Sequence, residues 1–117
     1  MKLSVVSRDE RSVHLAAEGD LVVPLAGPRA DPLAGVLPEG PCPALVLLDL
    51  SKVGYVNSTG INWLILAHRR VEQGGGRLVL HSAQPFVRGV LDLMKLGSVL
   101  NVAADEPAAR SPAGAGA

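Results

Sequence analysis

Apolar and polar residues alternate along two short segments near the N-terminus. Leu3 and Val5 hold the apolar positions of the first segment, and those of the second are Val13, Leu15 and Ala17. A period of two residues is typical of β-strands, and the charged residues 8–11 between the segments suit a hairpin turn. The chain is therefore predicted to open with two antiparallel strands.

The pattern changes in the middle of the chain. Residues 44–48 form a continuous apolar run, which is typical of a strand buried on both faces and often of a parallel one, so residues 44–50 are predicted to be the central strand. The segment before it carries prolines at positions 28, 32, 38, 41 and 43, and proline interrupts helices. At most one short helix, at about residues 31–37, is expected there.

Helical periodicity follows the central strand. The helical pattern of the first helix runs through Ile61, Leu64, Ile65, His68 and Val71, and the glycines at 74–76 end it. A strand over residues 77–81 comes next. Residues 84–94 then form a second helix, with Pro85 as its first residue and Gly97 as its stop. A last strand is predicted at residues 99–102.

This order of elements predicts the fold class. Strands joined by helices indicate an α/β domain with a small mixed sheet, antiparallel at its start and then parallel, with the helices packed on it. We place that single domain at residues 1–103. Residues 104–117 are rich in alanine, glycine and proline, and a segment with so few apolar side chains is predicted to be disordered.

Composition narrows the function classes. The 117 residues are 48% hydrophobic, which suits one globular domain with a core. Eleven basic residues balance eleven acidic ones, so neither nucleic acid nor an anionic membrane is an expected partner. The apolar runs fall far below the roughly 18 residues of a membrane span. A lone Cys42 suits a reducing compartment, and the cytoplasm is the expected location.

Catalytic and metal chemistry have little support in the sequence. The three histidines, His14, His68 and His81, are scattered and lack partner carboxylates or cysteines at ligand spacing, so no metal site is expected. The chain has no nucleophile elbow and no evident base for a serine. We expect no enzymatic activity and no cofactor.

The junction between the central strand and the first helix is the candidate site. It reads Asn57, Ser58, Thr59 and Gly60. Free backbone N–H groups and the helix dipole favour an anion such as a phosphoryl group at a helix start, so Ser58 is a candidate phosphorylation site. The alternative is plain helix capping, which the same residue types favour.

The first helix carries a second clue. At 100° per residue, Trp63, Leu66 and Arg70 fall together on the side opposite the apolar stripe. An exposed tryptophan beside an aliphatic residue and an arginine is typical of a protein interface. The alternative is that a neighbouring segment of the fold covers them.

Several motifs carry a resemblance that spans roughly residues 3–102. They are Gly19-Asp20-Leu21, Leu48-Asp49-Leu50, Val53, Val56-Asn57-Ser58-Thr59-Gly60-Ile61, Gly75-Gly76-Arg77-Leu78 and residues 91–96. In this order and spacing the chain resembles the STAS domain of anti-sigma factor antagonists. The resemblance implies a partner switch. The unmodified protein would bind an anti-sigma factor with serine kinase activity, and phosphorylation of Ser58, with Thr59 as second choice, would end that binding.

Three positions depart from the family pattern. Asn57 replaces the aspartate before the serine, Val22 replaces an acid, and Asn62 replaces a glycine. Partner contacts are assigned to the segment around the switch: Asp20, Val22, Asn62, Trp63 and Leu66. Two alternatives stay open, a STAS scaffold or transporter-associated subunit that does not switch, and a sensor of nucleotides or small ligands. A weak homodimer is a further expectation.

Overall fold

The computed structural model of the protein describes residues 2–23, 33 and 43–110. The strands are β1 (Lys2–Arg8), β2 (Ser12–Glu18), β3 (Leu45–Lys52), β4 (Arg77–His81) and β5 (Asn101–Ala103). The helices are α1 (Ser58–Gln73), α2 (Pro85–Leu93) and α3 (Glu106–Arg110), with a 3₁₀ turn at Leu96–Ser98. The helix predicted at residues 31–37 and the single cysteine, Cys42, lie outside the described residues.

The strands form one mixed sheet in the order β1-β2-β3-β4-β5. β1 and β2 are antiparallel, and every later neighbouring pair is parallel. The predicted fold class is therefore confirmed, with β3 as the central strand. In a parallel sheet the carboxyl ends of the strands meet at one edge, so the connection after β3 lies at an edge where functional residues often collect.

Burial on both faces explains why β3 reads as a continuous apolar run. Val46, Leu48 and Leu50 point into the main core, while Leu47 points to the other face of the sheet, and all four are buried. The main core holds the apolar side chains of α1 and α2, which cover that face. α1 ends at Gln73, before Gly75, whose φ of 89° suits glycine, as the sequence predicted.

The C-terminal part differs from the sequence-based expectation. Residues 104–117 were predicted to be disordered, but residues 106–110 form α3 and Ala109 is fully buried. Ala109 packs with Leu47 and Val79 on the second face of the sheet. Small alanines fit closely against this face, which the composition argument did not consider. Residues 111–117 lie outside the described part of the chain.

Two further boundaries differ. The last strand begins at Asn101 rather than at residue 99. Gly97 does not end α2, because the helix finishes at Leu93 and Gly97 lies in the following 3₁₀ turn. Lys95, with a φ of 56°, supplies the left-handed residue at that helix end. Within the described residues, no helix is both long and apolar enough to cross a membrane.

Candidate functional site

The connection from β3 to α1 forms a tight corner. Val53 N–H donates a hydrogen bond of 3.0 Å to the Leu50 carbonyl, which turns the chain directly after the strand. Val53 and Val56 are buried in the main core. These two buried side chains anchor the five-residue loop that joins β3 to α1. They thereby fix the position of the start of α1.

The segment after β2, residues 19–23, packs against this corner, and we call it the strap. Leu21 is fully buried and forms an isolated parallel bridge with Val56. Leu21 N–H donates to the Tyr55 carbonyl at 2.8 Å, and Asn57 N–H donates to the Leu21 carbonyl at 3.5 Å. Asp20 and Val22, on either side of Leu21, are exposed. The strap therefore brings both predicted contact residues to the corner that carries Ser58.

Asn57 caps α1. Its Oδ1 accepts hydrogen bonds from the backbone N–H groups of Thr59 at 3.0 Å and Gly60 at 3.2 Å. These are two of the donors that a helix start leaves without an intrahelical partner. The first turn carries no acidic residue. The capping interpretation is thus correct for Asn57, and it leaves the role of Ser58 open.

The two hydroxyls that follow have different environments. Ser58 is exposed at the first position of α1. Thr59 is half-buried, and its Oγ1 donates to Asn57 Oδ1 at 2.6 Å while accepting from Val23 N–H at 3.1 Å. Between the two candidates, only the Ser58 hydroxyl is open to an enzyme without loss of existing hydrogen bonds.

Gly60 allows the strap and the helix to approach. A β-carbon at position 60 would overlap the Leu21 carbonyl oxygen and would lie 2.8 Å from the carbonyl carbon. Such a distance to backbone atoms is not relieved by a rotamer change. The glycine of the motif is required for close packing rather than for an unusual φ.

Trp63 requires a correction. The sequence allowed it to be an exposed interface residue, but its side chain is 3% exposed and lies in the main core. The buried stripe of α1 is centred on Gly60, Leu64, Ala67 and Val71, and the prediction left out the two small residues. At 100° per residue, Trp63 lies about 60° from Gly60, within a wide core-facing side.

The outward face of α1 begins at the candidate serine. Ser58, Asn62 and Leu66 are spaced by four residues, lie on one face of the helix and are all exposed. We call these three residues, together with Asp20 and Val22 of the strap, the Ser58 surface. It contains every predicted contact residue except Trp63.

Sequence reasoning missed an aromatic pair beside the corner. The rings of Tyr55 and Phe86 stack with centroids 5.7 Å apart and an interplanar angle of 19°, and both are substantially exposed. Gln84, the N-cap residue of α2, donates from Nε2 to the Ser51 carbonyl at 2.7 Å and holds α2 near the loop. The signal available was an aromatic residue directly after the proline at a helix start.

The histidines are less scattered than the sequence suggested. His14 and His81 meet on the second face of the sheet, with their Nε2 atoms 2.9 Å apart, while His68 pairs with Glu72 along α1. Within the described ranges, no group of three or more histidine, cysteine and acidic side chains is placed to hold a metal ion.

A cavity lies far from the Ser58 surface. Its volume is about 670 Å³, and Asp9, Ser12, Leu45 and Arg110 are among its lining residues. It therefore sits at the amino end of β3, whereas Ser58 follows the carboxyl end of the same strand. Size alone does not connect it with the candidate site.

Comparisons with known proteins identify the family of the chain. The sequence profile of the family described as Mlab, STAS domain matches residues 4–101. A Bordetella bronchiseptica protein named anti-sigma factor antagonist BtrV is 34% identical over 64 residues, which are 55% of this chain and 55% of that protein. The chain thus matches about half the length of this curated relative.

A solved structure has the same fold. The anti-sigma factor antagonist SpoIIAA in its unphosphorylated form aligns with a TM-score of 0.63 at 18% sequence identity, over 91% of each chain. At this identity the likeness concerns the fold alone.

Proposed function

The chain belongs to the STAS domain family, and from that premise we propose that it is an anti-sigma factor antagonist whose binding to its partner ends when Ser58 is phosphorylated. The observation that carries this proposal is the exposed Ser58 hydroxyl at the first position of a helix that Asn57 already caps. The name of the Bordetella relative supports the class of partner.

The isolated protein can accept a phosphate on Ser58 with little rearrangement. A phosphoryl group adds about −1.5 to −2 charge. The N–H groups of Thr59 and Gly60 are held by Asn57, so the phosphate would extend into solvent instead of replacing the cap. The positive end of the helix dipole still favours the added charge. The modification is therefore expected to act on the complex rather than on the fold.

The Ser58 surface suits a partner that is sensitive to this charge. Val22 is 41% exposed and Leu66 is 51% exposed, so the strap and the outward face of α1 both present apolar side chains on the surface that includes the serine. A partner that covers them would also remove water from Ser58. Burying an unpaired dianion in such a contact costs several kcal/mol, roughly enough to reverse a binding equilibrium.

The proposed partner is an anti-sigma factor that also has serine kinase activity. This chain then needs no catalytic group of its own, and we assign it a regulatory role without enzymatic activity, carried out in the cytoplasm. Binding of the unphosphorylated chain would free the sigma factor, and phosphorylation by the partner would reverse that step.

Phosphate transfer tests the proposal. The full chain with Ser58→Ala is used to recover the anti-sigma factor, and the wild-type chain is then incubated with that factor and ATP. We expect the mass to rise by one phosphoryl group and the complex to dissociate. Ser58→Ala should gain no mass and should stay bound. Ser98→Ala removes an exposed hydroxyl on the distant 3₁₀ turn and is the matched control, which should behave as wild type.

Two results would contradict the proposal. Stable binding without phosphorylation of the wild-type chain would identify a STAS scaffold that does not switch. A phosphate found on Ser58→Ala would place the modification elsewhere. Titration of the chain with ATP and GTP in the absence of partner distinguishes a nucleotide sensor from the switch and from the scaffold. Only a sensor would bind these nucleotides by itself.

A further inference from the structure

A serine and a buried histidine lie together at the carboxyl end of β4, outside the Ser58 surface. Ser82 directly follows the strand and is half-buried, and its Oγ lies 2.9 Å from His81 Nδ1. His81 is on the same face of β4 as Val79, which packs on the second face of the sheet, and it is 1% exposed. The structure thus places a base against a serine, which the sequence did not indicate.

The backbone at Ser82 is strained. Its φ is 60°, which is uncommon for a residue other than glycine, and a hydrogen bond of 3.3 Å from its N–H to the Ala104 carbonyl holds it in place. In α/β hydrolases the nucleophilic serine lies at such a strained turn between a strand and a helix. Here Leu80 and Gln84 occupy the positions of the two motif glycines, so the sequence carried no sign of this turn.

A chain of hydrogen bonds determines which nitrogen of His81 carries a proton. His14 Nδ1 lies 3.3 Å from Glu106 Oε1, and an ionised carboxylate only accepts, so neutral His14 carries its proton on Nδ1. Its Nε2 then accepts from His81 Nε2–H at 2.9 Å. This leaves His81 Nδ1 without a proton, and it accepts a hydrogen bond from the Ser82 hydroxyl. All three hydrogen bonds therefore point from the serine toward the carboxylate.

His81 is in the form that a general base requires. Burial lowers its pKa, and the opposing effects of Asp49 and Glu106 do not restore it. The imidazole is therefore neutral near pH 7, with Nδ1 free to take the serine proton. His14 and Glu106 are positioning residues, because their hydrogen bonds keep the single ring proton of neutral His81 on Nε2.

The charges around His81 determine which acyl or phosphoryl donor is favoured. Asp49 of β3 faces His81 in register. Burial raises the pKa of Asp49, but hydrogen bonds from Ser51 outweigh it, and the pKa is lowered overall. Asp49 is thus ionised near pH 7, whereas the charge of Glu106 is neutralised by Arg110 at 3.0 Å. The negative charge of Asp49 opposes a phosphoryl donor, which is a polyanion, but does not oppose a neutral ester.

We propose that Ser82 is a reactive serine that takes up one acyl group from a neutral activated ester, with His81 as its general base. Ser82 Oγ attacks the carbonyl carbon of the ester while its proton moves to His81 Nδ1. The bond between that carbon and the leaving oxygen then breaks, and His81 returns the proton to this oxygen. The products are acyl-Ser82 and an alcohol. One transfer per chain is a modification and not turnover, and it is independent of the function proposed for Ser58.

Acetylation by p-nitrophenyl acetate tests this reactivity. The full chain is incubated with the ester near neutral pH, and peptide mass analysis gives the rate at each serine. Ser98 is the internal control, since its exposed hydroxyl donates to the Lys95 carbonyl at 3.0 Å, which cannot take the proton. We expect Ser82 to be acetylated at least about 100-fold faster than Ser98, the lower end of general base catalysis. Equal rates at the two serines would overturn the proposal.

Acetyl phosphate tests the preference for a neutral donor, because it transfers the same acetyl group but is an anion. The ratio of the rates at Ser82 and Ser98 should be about tenfold lower with acetyl phosphate than with p-nitrophenyl acetate, since Asp49 repels the anion. An equal or higher ratio would overturn the assignment of a neutral ester.

Variants test the roles of the two histidines. His81→Gln should slow acetylation of Ser82 to the rate of Ser98. His14→Leu removes the acceptor for His81 Nε2–H and should slow Ser82 by about tenfold or more. His14→Gln supplies an amide oxygen that can accept this proton, and it should restore most of the rate. Equal rates in the two His14 variants would overturn the positioning role.

Ser58→Ala separates this reactivity from the switch. Ser82 should be acetylated in that variant as fast as in wild type. Slower acetylation would contradict the independence of the two serines, whereas failure of Ser58 to take up phosphate would leave the expected reactivity of Ser82 unchanged.

Nitrogen chemical shifts of the wild-type imidazoles provide a measurement that needs no variant. At neutral pH we expect His14 as the Nδ1–H tautomer and His81 as the Nε2–H tautomer. A proton on His81 Nδ1 would make the Ser82 oxygen an acceptor and would overturn the proposal, even where a histidine variant does not fold.

Discussion

Thr59 Oγ1 lies 2.6 Å from Asn57 Oδ1 and donates a hydrogen bond to it, so the helix cap and the threonine hydroxyl form one unit. The same oxygen accepts from Val23 N–H and ties that unit to the strap. Two adjacent hydroxyls of one motif therefore differ in role. Thr59 stabilises the corner, and Ser58 remains exposed beside it.

An acidic residue at position 58 is expected to separate folding from binding. Ser58→Glu places a negative charge at the start of α1, which should raise the free energy of unfolding by about 0.3–1 kcal/mol. Affinity for the anti-sigma factor should fall by about 100-fold or more, because an unpaired buried charge costs several kcal/mol. Urea unfolding and calorimetry measure the two quantities. Loss of the fold, or unchanged affinity, would contradict the prediction.

The threonine beside it serves as the control for that experiment. Thr59→Ala removes a donor and an acceptor, and each lost hydrogen bond is worth about 0.5–1.5 kcal/mol. We expect lower stability with phosphorylation of Ser58 retained. A Thr59→Ala chain that can no longer be phosphorylated, although it is folded, would move the proposed site to Thr59.

Gly60 is expected to tolerate no side chain. Gly60→Ala would force a β-carbon into the Leu21 carbonyl group, and the backbone must shift, at a cost of about 3 kcal/mol. Gly89→Ala is the matched control, since a β-carbon there meets no atom within 4 Å and α2 should gain about 0.5–1 kcal/mol. Thermal unfolding compares the two. Equal effects of the two substitutions on thermal stability would show that the strap does not pack closely against Gly60.

Burial of Trp63 predicts a clear contrast along α1. Trp63→Ala should cost about 3–5 kcal/mol, as expected for a large side chain removed from a core. Leu66→Ala should change stability by less than about 0.5 kcal/mol but should weaken partner binding. Since Trp63 is the single tryptophan, its fluorescence should be that of a buried indole and resist quenching by iodide. An easily quenched signal would restore the exposed interpretation.

Most of the sheet could be predicted from local pattern. The alternation in β1 and β2 identifies both as strands, and the continuous apolar run of β3 identifies a strand that is buried on both faces. The proline at the start of α2 also gave the correct boundary. These signals act through residues close in sequence, so a single chain is enough to detect them.

The features that could not be predicted from the sequence depend on contacts between residues that are far apart in the chain. The pairing of His14 with His81 joins residues 67 positions apart, and neither has a local pattern that indicates the other. The same holds for the stacking of Tyr55 on Phe86 and for α3, whose alanines have meaning only against the second face of the sheet. Likewise, the need for glycine at position 60 becomes evident only when the structure places the Leu21 carbonyl against it.

Replacing the N-cap residue of α1 tests the effect of having asparagine at position 57, where the family pattern has aspartate. Asn57→Asp keeps the three hydrogen bonds to Oδ1 and adds a charge, so stability should rise by about 0.3–1 kcal/mol near neutral pH. The donors lower the pKa of the new carboxyl, and the gain should disappear as the pH falls below about 4. Asn57→Ala should instead cost about 1 kcal/mol. A gain that persists at pH 2 would exclude the charge as its cause.

The acid dependence of overall stability follows from the second face of the sheet. Burial lowers the pKa of His81 from about 6.5, the ordinary pKa of a histidine exposed to water. Once the pH drops below that value, the folded chain therefore binds fewer protons than the unfolded chain. The free energy of unfolding should therefore be constant above that pH and should decrease below it until His81 in the folded chain also binds its proton. Urea unfolding at half-unit steps from pH 7.5 to 5 would measure the slope. His81→Gln should flatten the profile, and His68→Gln should retain it. An equal slope in both variants would assign the effect to groups other than His81.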